Sequence, residues 1–208
     1  MPHASSIKTK EQILDVAESA IAQNGYAGTT LRSIVNQANV NLAAVHYHFG
    51  SKEDLFRAVL ARTSKPIVSG QLANLAALEA NSQQPLSIEE ILRAYIEPGF
   101  HCTVHADAHP MRSQFFGRCR TEPEPVHSIA AEHFQLGTDK FLDALQRALP
   151  NQSRAQLTWK LDLVVSSLIR VLGRAGTPGA LIKTDSAADI EQAITQLVAF
   201  LMPGMMNS

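Results

Sequence analysis

The sequence predicts an all-α fold, with a three-helix unit at the N-terminus and a larger helical domain after it. Apolar residues recur at helical spacing throughout the 208 residues, and no segment alternates as a half-buried strand does. Two short helical segments joined by a three-residue turn follow the first helix, and beyond Lys65 the segments become longer and more apolar. We therefore expect one domain at residues 1–65 and a second at residues 66–208.

Composition and charge narrow the class of protein. The chain is 45% hydrophobic and 18% charged, which is ordinary for a soluble globular protein. Its formal net charge is -1, but residues 1–65 carry seven Lys and Arg against five Asp and Glu, an excess that permits nucleic acid as a partner. The sequence has two cysteines, Cys102 and Cys119, and no secretory leader, which predicts a cytoplasmic protein with free thiols. Its apolar runs are short, so we expect no membrane span.

The first helix is predicted within residues 10–26. Its apolar side chains fall on one face at helical spacing and are Ile13, Leu14, Ala17 and Ile21. Asn24 and Gly25 follow as a stop signal, because both residue types accept the left-handed conformation that ends helices. The helix should therefore end at this pair.

The next two helices form a helix-turn-helix pattern. Thr29 or Thr30 is expected to cap a two-turn helix over residues 31–38. After the turn, Asn41 is the expected cap of a third helix from about Leu42 to Phe49. A second short helix after such a turn is narrow enough to enter the major groove of duplex DNA.

The remaining chain is predicted to be a series of longer helices. Gly50 should end the third helix, and Ser51 with Asp54 three residues later should begin the fourth. Ser87 with Glu90 repeats that capping pattern. Pro, Gly, Asn and Gln predict breaks near Pro66, at residues 81–85, at Pro98 and Gly99, at Pro110, and at residues 121–125, 150–153 and 173–179.

The stretch GYAGTTLRSIVNQANVNLAAVHYHFGSKEDLF, residues 25–56, resembles the DNA-binding domain of TetR-family transcriptional regulators. The resemblance covers roughly residues 7–60. It implies a homodimer that binds a palindromic operator in double-stranded DNA through residues 1–65. It also implies that residues 66–208 form an effector-binding and dimerisation domain, which in most members releases the DNA when a small molecule enters. We expect a ligand-responsive repressor rather than an enzyme, with no cofactor.

The same resemblance assigns residues to DNA contacts. Thr30, Tyr47 and Lys52 match phosphate-contacting positions, and Arg32 lies where some members reach a base. The exposed recognition-helix positions are Leu42, Ala43, Ala44 and His46, and the cap Asn41 is a further candidate for a DNA contact. Asn39 replaces the usual turn glycine, and Asn41 replaces a capping Ser or Thr. His46 stands where tyrosine is frequent, which leaves a base contact or a water-mediated contact open, while the alanine methyls suit thymine methyl groups and DNA shape.

Two further sets are expected in the larger domain. The resemblance implies a dimer interface on the last two long helices, formed by Leu161, Val165, Leu168, Leu172, Ile194, Leu197 and Leu201; the alternative is that both are ordinary core helices. A mainly aromatic set is a candidate pocket for an apolar or acyl-type effector, or else plain core: Tyr95, Phe100, Met111, Phe115, Phe116, Phe134 and Trp159.

Three histidines raise a different possibility. His101, His105 and His109 are spaced by four, and two on one helix face could ligate a metal. Prolines on either side interrupt such a helix, so we expect no metal site. A metal-dependent helical enzyme would leave the N-terminal pattern unexplained. The remaining alternative is a dimeric DNA-binding regulator with no effector.

Overall fold

The computed structural model describes residues 2–104 and 111–207, with the side chains of residues 2–5 excepted. All regular structure in these ranges is α-helical, which confirms the predicted fold class. The helices are α1 (Pro2–Gly28), α2 (Leu31–Gln37), α3 (Leu42–His48), α4 (Lys52–Asn81), α5 (Ile88–Val104), α6 (Arg112–Thr121), α7 (Val126–Ala148), α8 (Arg154–Leu172) and α9 (Ala187–Met206). None of the helices described here is both long enough and apolar enough to cross a membrane.

The chain divides into two compact units. The first comprises Met1–Ser64 and His109–His133, and the second comprises Lys65–Ala108 and Phe134–Ser208. The first unit thus differs from the predicted domain at residues 1–65, because it includes α6 and the start of α7. Two domains divided at residue 65 remain a prediction about how function is partitioned.

The core of the first unit is formed by α1, α2 and α3, the start of α4, α6 and the start of α7. Ile13, Val45 and Phe56 are fully buried there. Gly25 lies in the left-handed region with φ 74, so the regular part of α1 ends at the predicted stop. The Thr29 hydroxyl donates to the Gly25 carbonyl over 2.8 Å and holds the chain at this bend.

Within the first unit, charged groups join α6 to α1. The Glu18 carboxylate of α1 is fully buried and accepts from Arg62 over 2.8 Å and from Arg112 of α6 over 3.4 Å. Arg118 of α6 donates to the backbone carbonyls of Ala22 and Gln23, near the end of α1. A buried carboxylate needs such partners, so both arginines stabilise the unit.

Phe115 adds an apolar contact between α6 and α4 within the first unit. Its ring is fully buried, with its centroid 5.9 Å from that of Phe56. Phe56 in turn meets Tyr26 edge to face at 5.4 Å. Aromatic pairs at such separations contribute beyond their buried area.

The second unit has one apolar core, contributed by α5, α7, α8, α9 and the end of α4. Its largest fully buried side chains include Phe100, Phe141 and Leu145. Gly99 allows α5 and α8 to approach closely, because a Cβ there would lie 3.2 Å from a methyl of Leu168. An alanine at position 99 would require the Leu168 side chain to shift by a few tenths of an ångström.

The predicted breaks at Pro66 and at Pro98 and Gly99 are wrong. Pro66 lies inside α4 and Pro98 lies inside α5. A proline removes one backbone N–H and crowds the carbonyls of the preceding turn. In α5 this turn includes Tyr95, whose carbonyl accepts a hydrogen bond over 2.8 Å from the buried Gln71 side chain of α4. Pro66 is exposed, so water can bind the Arg62 carbonyl, which lies four residues earlier and lacks an N–H partner from Pro66.

Lys160 and Gln152 hold the end of α9. The Lys160 ammonium is buried and donates to Gln152 over 2.6 Å, to the Met205 carbonyl over 3.1 Å and to the Asn207 carbonyl. Gln152 donates to the Met205 carbonyl over 2.8 Å. A cation beside the last carbonyls of a helix is favoured by the helix dipole. These bonds fix the beginning of α8 against the end of α9.

Candidate nucleic-acid interface

Helix α3 exposes one face and buries the other. Leu42 is 45% exposed and Tyr47 is 81% exposed, while Val45 is fully buried. Ala43 and His46 are exposed as well, and Ala44 is partly exposed. Residues four apart share a face of a helix, so Leu42 lies beside His46 and Ala43 beside Tyr47. The side chains predicted to meet DNA therefore point away from the core together.

Side-chain caps begin both helices of the pair. The Thr30 side chain accepts from the Ser33 amide over 3.0 Å, and the Ser33 side chain accepts from the Thr30 amide over 3.1 Å. Asn41 accepts from the Ala44 amide over 2.8 Å. Both caps are confirmed as predicted. Because the Thr30 oxygen accepts in its cap, the hydroxyl hydrogen is available to a phosphate oxygen.

The turn between α2 and α3 depends on Asn39. Its φ of 49 places it in the left-handed region, where asparagine is among the few side-chain-bearing residues that are common. The next residue, Val40, donates its amide to the Val35 carbonyl over 3.1 Å and closes the end of α2. Asn39 thus serves where the family commonly has glycine, as predicted.

His46 is tied to the residue that ends α3. Its Nδ1 lies 2.7 Å from the Gly50 carbonyl oxygen, and the Gly50 amide donates to the His46 carbonyl over 3.0 Å. Gly50 has φ 82, a conformation that glycine adopts without strain. The imidazole therefore has a defined direction although it is exposed.

Lys52 begins α4 beside an aromatic ring. Its ammonium lies 4.2 Å from the centroid of Tyr26, within the range of a cation–π contact. Burial lowers the pKa of Lys52, and the carboxylate of Glu122 opposes that change. Burial, aided by Glu53, raises the pKa of the Tyr26 hydroxyl. The ring holds the ammonium near the end of α3, while one side of it stays open to solvent.

Arg32 and Phe49 complete the description of the predicted residues. Arg32 on α2 is exposed and makes no ion pair within the described residues, so its guanidinium can reach a base or a phosphate. Phe49 is only partly buried. It caps α3 with φ -130 and ψ -24, outside helical geometry, and so does not follow the buried face of the helix.

Comparison with known proteins identifies the chain. Residues 93–204, more than half of it, match the family described as "Tetracyclin repressor-like, C-terminal domain". Residues 13–59 match "Bacterial regulatory proteins, tetR family". The chain belongs to the TetR family of transcriptional regulators. Its family consists of transcriptional regulators, not enzymes, and the matched N-terminal segment is the family's DNA-binding helix-turn-helix.

Individual relatives resemble this TetR-family regulator over different lengths. The probable acrEF/envCD operon repressor of Escherichia coli K12 is 38% identical over 53 residues, which cover 26% of this chain and 24% of that protein. This chain thus spans about a quarter of the length of that relative. The HTH-type transcriptional activator FasR of Mycolicibacterium smegmatis is 29% identical over 136 residues, 65% of this chain and 58% of FasR.

A solved structure shows the same fold over nearly all of the TetR-family chain. The transcriptional regulator from Aquifex aeolicus VF5 aligns with a TM-score of 0.61 at 22% identity, covering 94% of this chain and 98% of that one. At this identity the likeness concerns the fold alone.

The residues predicted to line an effector pocket are not gathered in one unit. Met111, Phe115 and Phe116 belong to the first unit, and the other four belong to the second. Phe115 and Phe100 are fully buried in their respective cores, as the alternative reading allowed. Within the second unit Tyr95 packs against Phe141, with ring centroids 4.8 Å apart, and Phe134 is partly buried. Trp159 is 53% exposed and lies on the surface of α8.

A surface depression in the second unit involves different residues. Its volume is about 320 Å³, and it is lined by Glu79, Ser82, Gln83, Gln84, Pro85, Leu86 and Arg147. None of the predicted pocket residues contributes to it. Five of its seven lining residues carry polar side chains, whereas the set that the sequence suggested is mainly aromatic.

The residues predicted at a dimer interface mostly face the chain's own core. Six of the seven are buried within the second unit, namely Leu161, Leu168, Leu172, Ile194, Leu197 and Leu201. Val165 is partly exposed. An apolar helical stripe cannot reveal whether its partner is the same chain or another, and here the chain's own core covers it.

Sequence reasoning missed a second apolar face on the same two helices. Phe200 of α9 is 77% exposed, and Trp159 and Leu163 of α8 are about half exposed. Trp159 and Leu163 are four residues apart and therefore share a face of α8. Exposed apolar side chains mark an interaction surface where they form a contiguous patch.

The three spaced histidines remain a hypothesis, because the structure describes only one of them. His101 lies exposed near the end of α5. His105, Asp107 and His109 lie outside the described residues. In the part that the structure covers, no three His, Cys, Asp or Glu side chains are grouped as metal ligands would be.

Proposed function

We propose that this TetR-family regulator is a homodimeric repressor that binds a palindromic operator through α3 and is released by a small effector. The observation that carries the proposal is the exposed face of α3, with Leu42, Ala43, His46 and Tyr47 pointing away from the core. Arg32, Thr30 and Lys52 flank that face and supply cations and a hydroxyl for phosphate oxygens. Alanine and leucine offer only apolar contact, which suits thymine methyl groups.

Dimerisation is supported by the apolar face that α8 and α9 expose. Lys160 binds the carbonyls at the end of α9, so Trp159 and Leu163 lie within about one turn of that junction. Phe200 lies five residues before Met205, on the adjoining part of α9. Burying these side chains against a second copy removes a large apolar area from water. The two-fold symmetry of a palindromic operator also requires two recognition helices.

Repression is supported by the relatives. The Escherichia coli relative is named a probable operon repressor, whereas the relative with the longer alignment is named an activator. A repressor lowers transcription by occupying its operator, so deleting the gene should raise expression from a reporter downstream of that site. An activator would give the opposite change.

The effector is proposed to be small and apolar or acyl in character. Support comes from the family match over residues 93–204 and from the aromatic content of that segment. A regulator without an effector is the second candidate, and the tight packing of Tyr95 on Phe141 beside the buried Phe100 favours it. A panel of fatty acids and acyl thioesters distinguishes them, because a ligand that binds only the folded protein raises its melting temperature with concentration.

Selection of bound sequences from random duplex DNA by the purified protein tests the proposal. We expect enrichment of two inverted half-sites whose centres lie about 10 base pairs, or a multiple of that, apart. The affinity for the enriched duplex should fall steeply with salt, because phosphate contacts release counterions. Recovery of sequences with no common half-site would refute specific operator binding.

A further inference from the structure

The Gly50 carbonyl determines which nitrogen of His46 carries a proton. A carbonyl oxygen only accepts, so the 2.7 Å contact requires that Nδ1 donates. The Gly50 amide binds the His46 carbonyl in return, so the two residues hold each other at both ends. The unprotonated Nε2 of the neutral ring is then an acceptor with no partner in the described chain.

From this arrangement we infer that His46 reads an exocyclic amino group, that of adenine or cytosine, in the major groove of the operator. The inference rests on the proposed function, because it needs α3 in the groove. A neutral ring that presents Nε2 cannot pair with a phosphate oxygen, since both groups are acceptors. The guanine and thymine edges in the major groove also present acceptors, so only adenine N6 and cytosine N4 supply a donor.

The position of His46 on α3 agrees with a base contact. It lies one helical turn after Leu42 on the same exposed face, and Leu42 is at the N-terminal end that enters the groove in helix-turn-helix proteins. A tyrosine at this position could donate its hydroxyl hydrogen to phosphate, whereas the neutral imidazole has already used its single N–H on Gly50. The histidine therefore changes which part of DNA this position can contact.

The first test concerns the free protein and needs no DNA. Long-range nitrogen–proton correlation spectra of protein labelled with ¹⁵N-histidine, recorded at pH 8, report which ring nitrogen carries the proton. We expect Nδ1 protonated and Nε2 unprotonated for the resonance that disappears in His46→Phe. A proton on Nε2 of the neutral ring would overturn the inference.

The second test uses a selected operator at the same pH. Each adenine is replaced in turn by purine without its 6-amino group, and each cytosine by 2-pyrimidinone without its 4-amino group. At one position per half-site, the parent protein should lose about two- to tenfold in affinity, the usual worth of one hydrogen bond. His46→Phe should be insensitive at that position and Tyr47→Phe should keep the loss.

Other results would contradict the inference in separate ways. If no amino deletion distinguishes His46→Phe from the parent, His46 reads no amino group. If His46→Phe is instead insensitive to replacing one phosphate by methylphosphonate, the ring binds backbone as a cation. Failure of the parent protein to bind any duplex would refute the proposed function itself, while the spectra would still decide the tautomer. Matching melting temperatures confirm that both variants are folded.

Discussion

The ammonium of Lys52 lies 4.2 Å from the centre of the Tyr26 ring, at the point where α1 ends and α4 begins. One side of the cation is thus covered by an aromatic face, and the other is left for solvent or DNA. Tyr26 is itself packed edge to face on Phe56, so the ring is held by the core of the first unit. A lysine that would otherwise be mobile is directed by this stack.

Replacing Lys52 by alanine should weaken binding to all duplexes about equally. One lost phosphate contact should reduce the slope of log affinity against log salt by about one unit. Filter binding or fluorescence anisotropy at several salt concentrations measures the slope. Lys140→Ala, at an exposed lysine of α7, is the control and should leave the slope unchanged. A changed sequence preference with an unaltered slope would argue against a phosphate contact.

Substitutions of Tyr47 and Val45 should affect different properties, DNA affinity and folding stability respectively. Tyr47 is exposed and Val45 is fully buried. Tyr47→Phe removes one hydroxyl and should lower DNA affinity by about 0.5 to 1.5 kcal/mol with stability nearly unchanged. Val45→Ala should cost about 2 kcal/mol of stability through the cavity that it leaves. Urea unfolding and operator titration of both variants measure the two effects. The reverse assignment would show that α3 is rotated about its axis.

The buried carboxylate of Glu18 should be important for stability. Glu18→Gln leaves the guanidinium groups of Arg62 and Arg112 beside a neutral side chain, and should cost about 3 kcal/mol, as removal of one member of a buried charge pair does. Glu11 contacts the same Arg62 but is half exposed, so Glu11→Gln should cost less than about 1 kcal/mol. Denaturant midpoints compare the two, and equal costs would contradict the importance of burial.

Dimerisation should depend on Phe200. Phe200→Glu places a charge in the proposed interface and should raise the dimer dissociation constant by at least about tenfold, the effect of 1.4 kcal/mol. Leu136→Glu changes a side chain that is 70% exposed on α7 and should have no effect. Analytical ultracentrifugation over a range of concentrations measures both. Dissociation by Leu136→Glu alone would place the interface elsewhere.

Asp189 should make the free energy of unfolding depend on pH in the acidic range. Hydrogen bonds from two backbone amides lower the pKa of its carboxyl group. The amide of Thr184, which has the larger effect, donates over 2.5 Å, and the amide of Lys183 donates over 2.7 Å. A carboxyl whose pKa falls on folding stabilises the protein above its unfolded value of about 3.9, and this contribution is lost as the pH falls through the lower folded value. The stability difference between the parent and Asp189→Asn should therefore be present at pH 7 and disappear towards pH 2. A difference independent of pH would refute the assignment.

Local signals were sufficient to predict the helix-turn-helix. The caps Thr30 and Asn41 act on amides three residues away, and Gly25 changes the backbone direction by its own conformation. The exposed face of α3 follows from the position of Val45 in the helical repeat. Residues that act within one turn leave their pattern in the sequence itself.

Distant partners explain what the sequence did not predict. Pro98 does not interrupt α5, and Gln71, which supports the same turn, belongs to another helix. Arg112 binds Glu18 across 94 residues of sequence, so the sequence near either residue does not predict the ion pair. The buried Leu161 and the exposed Trp159 both lie on α8. Only the folded structure shows which face of this helix the core of the second unit covers. The first compact unit includes α6, and nothing in the local sequence of α6 indicates that it packs on α1.

The arrangement of the first unit also has a consequence for how the protein is made. Its recognition helices emerge from the ribosome before α6, and residues 65–108 are synthesised in between. At about 5 to 20 residues per second, residues 65–133 take roughly 3 to 14 seconds to appear. During this interval Glu18 lacks Arg112 and Phe56 lacks Phe115, so a nascent chain carries every recognition residue before its DNA-binding unit can close.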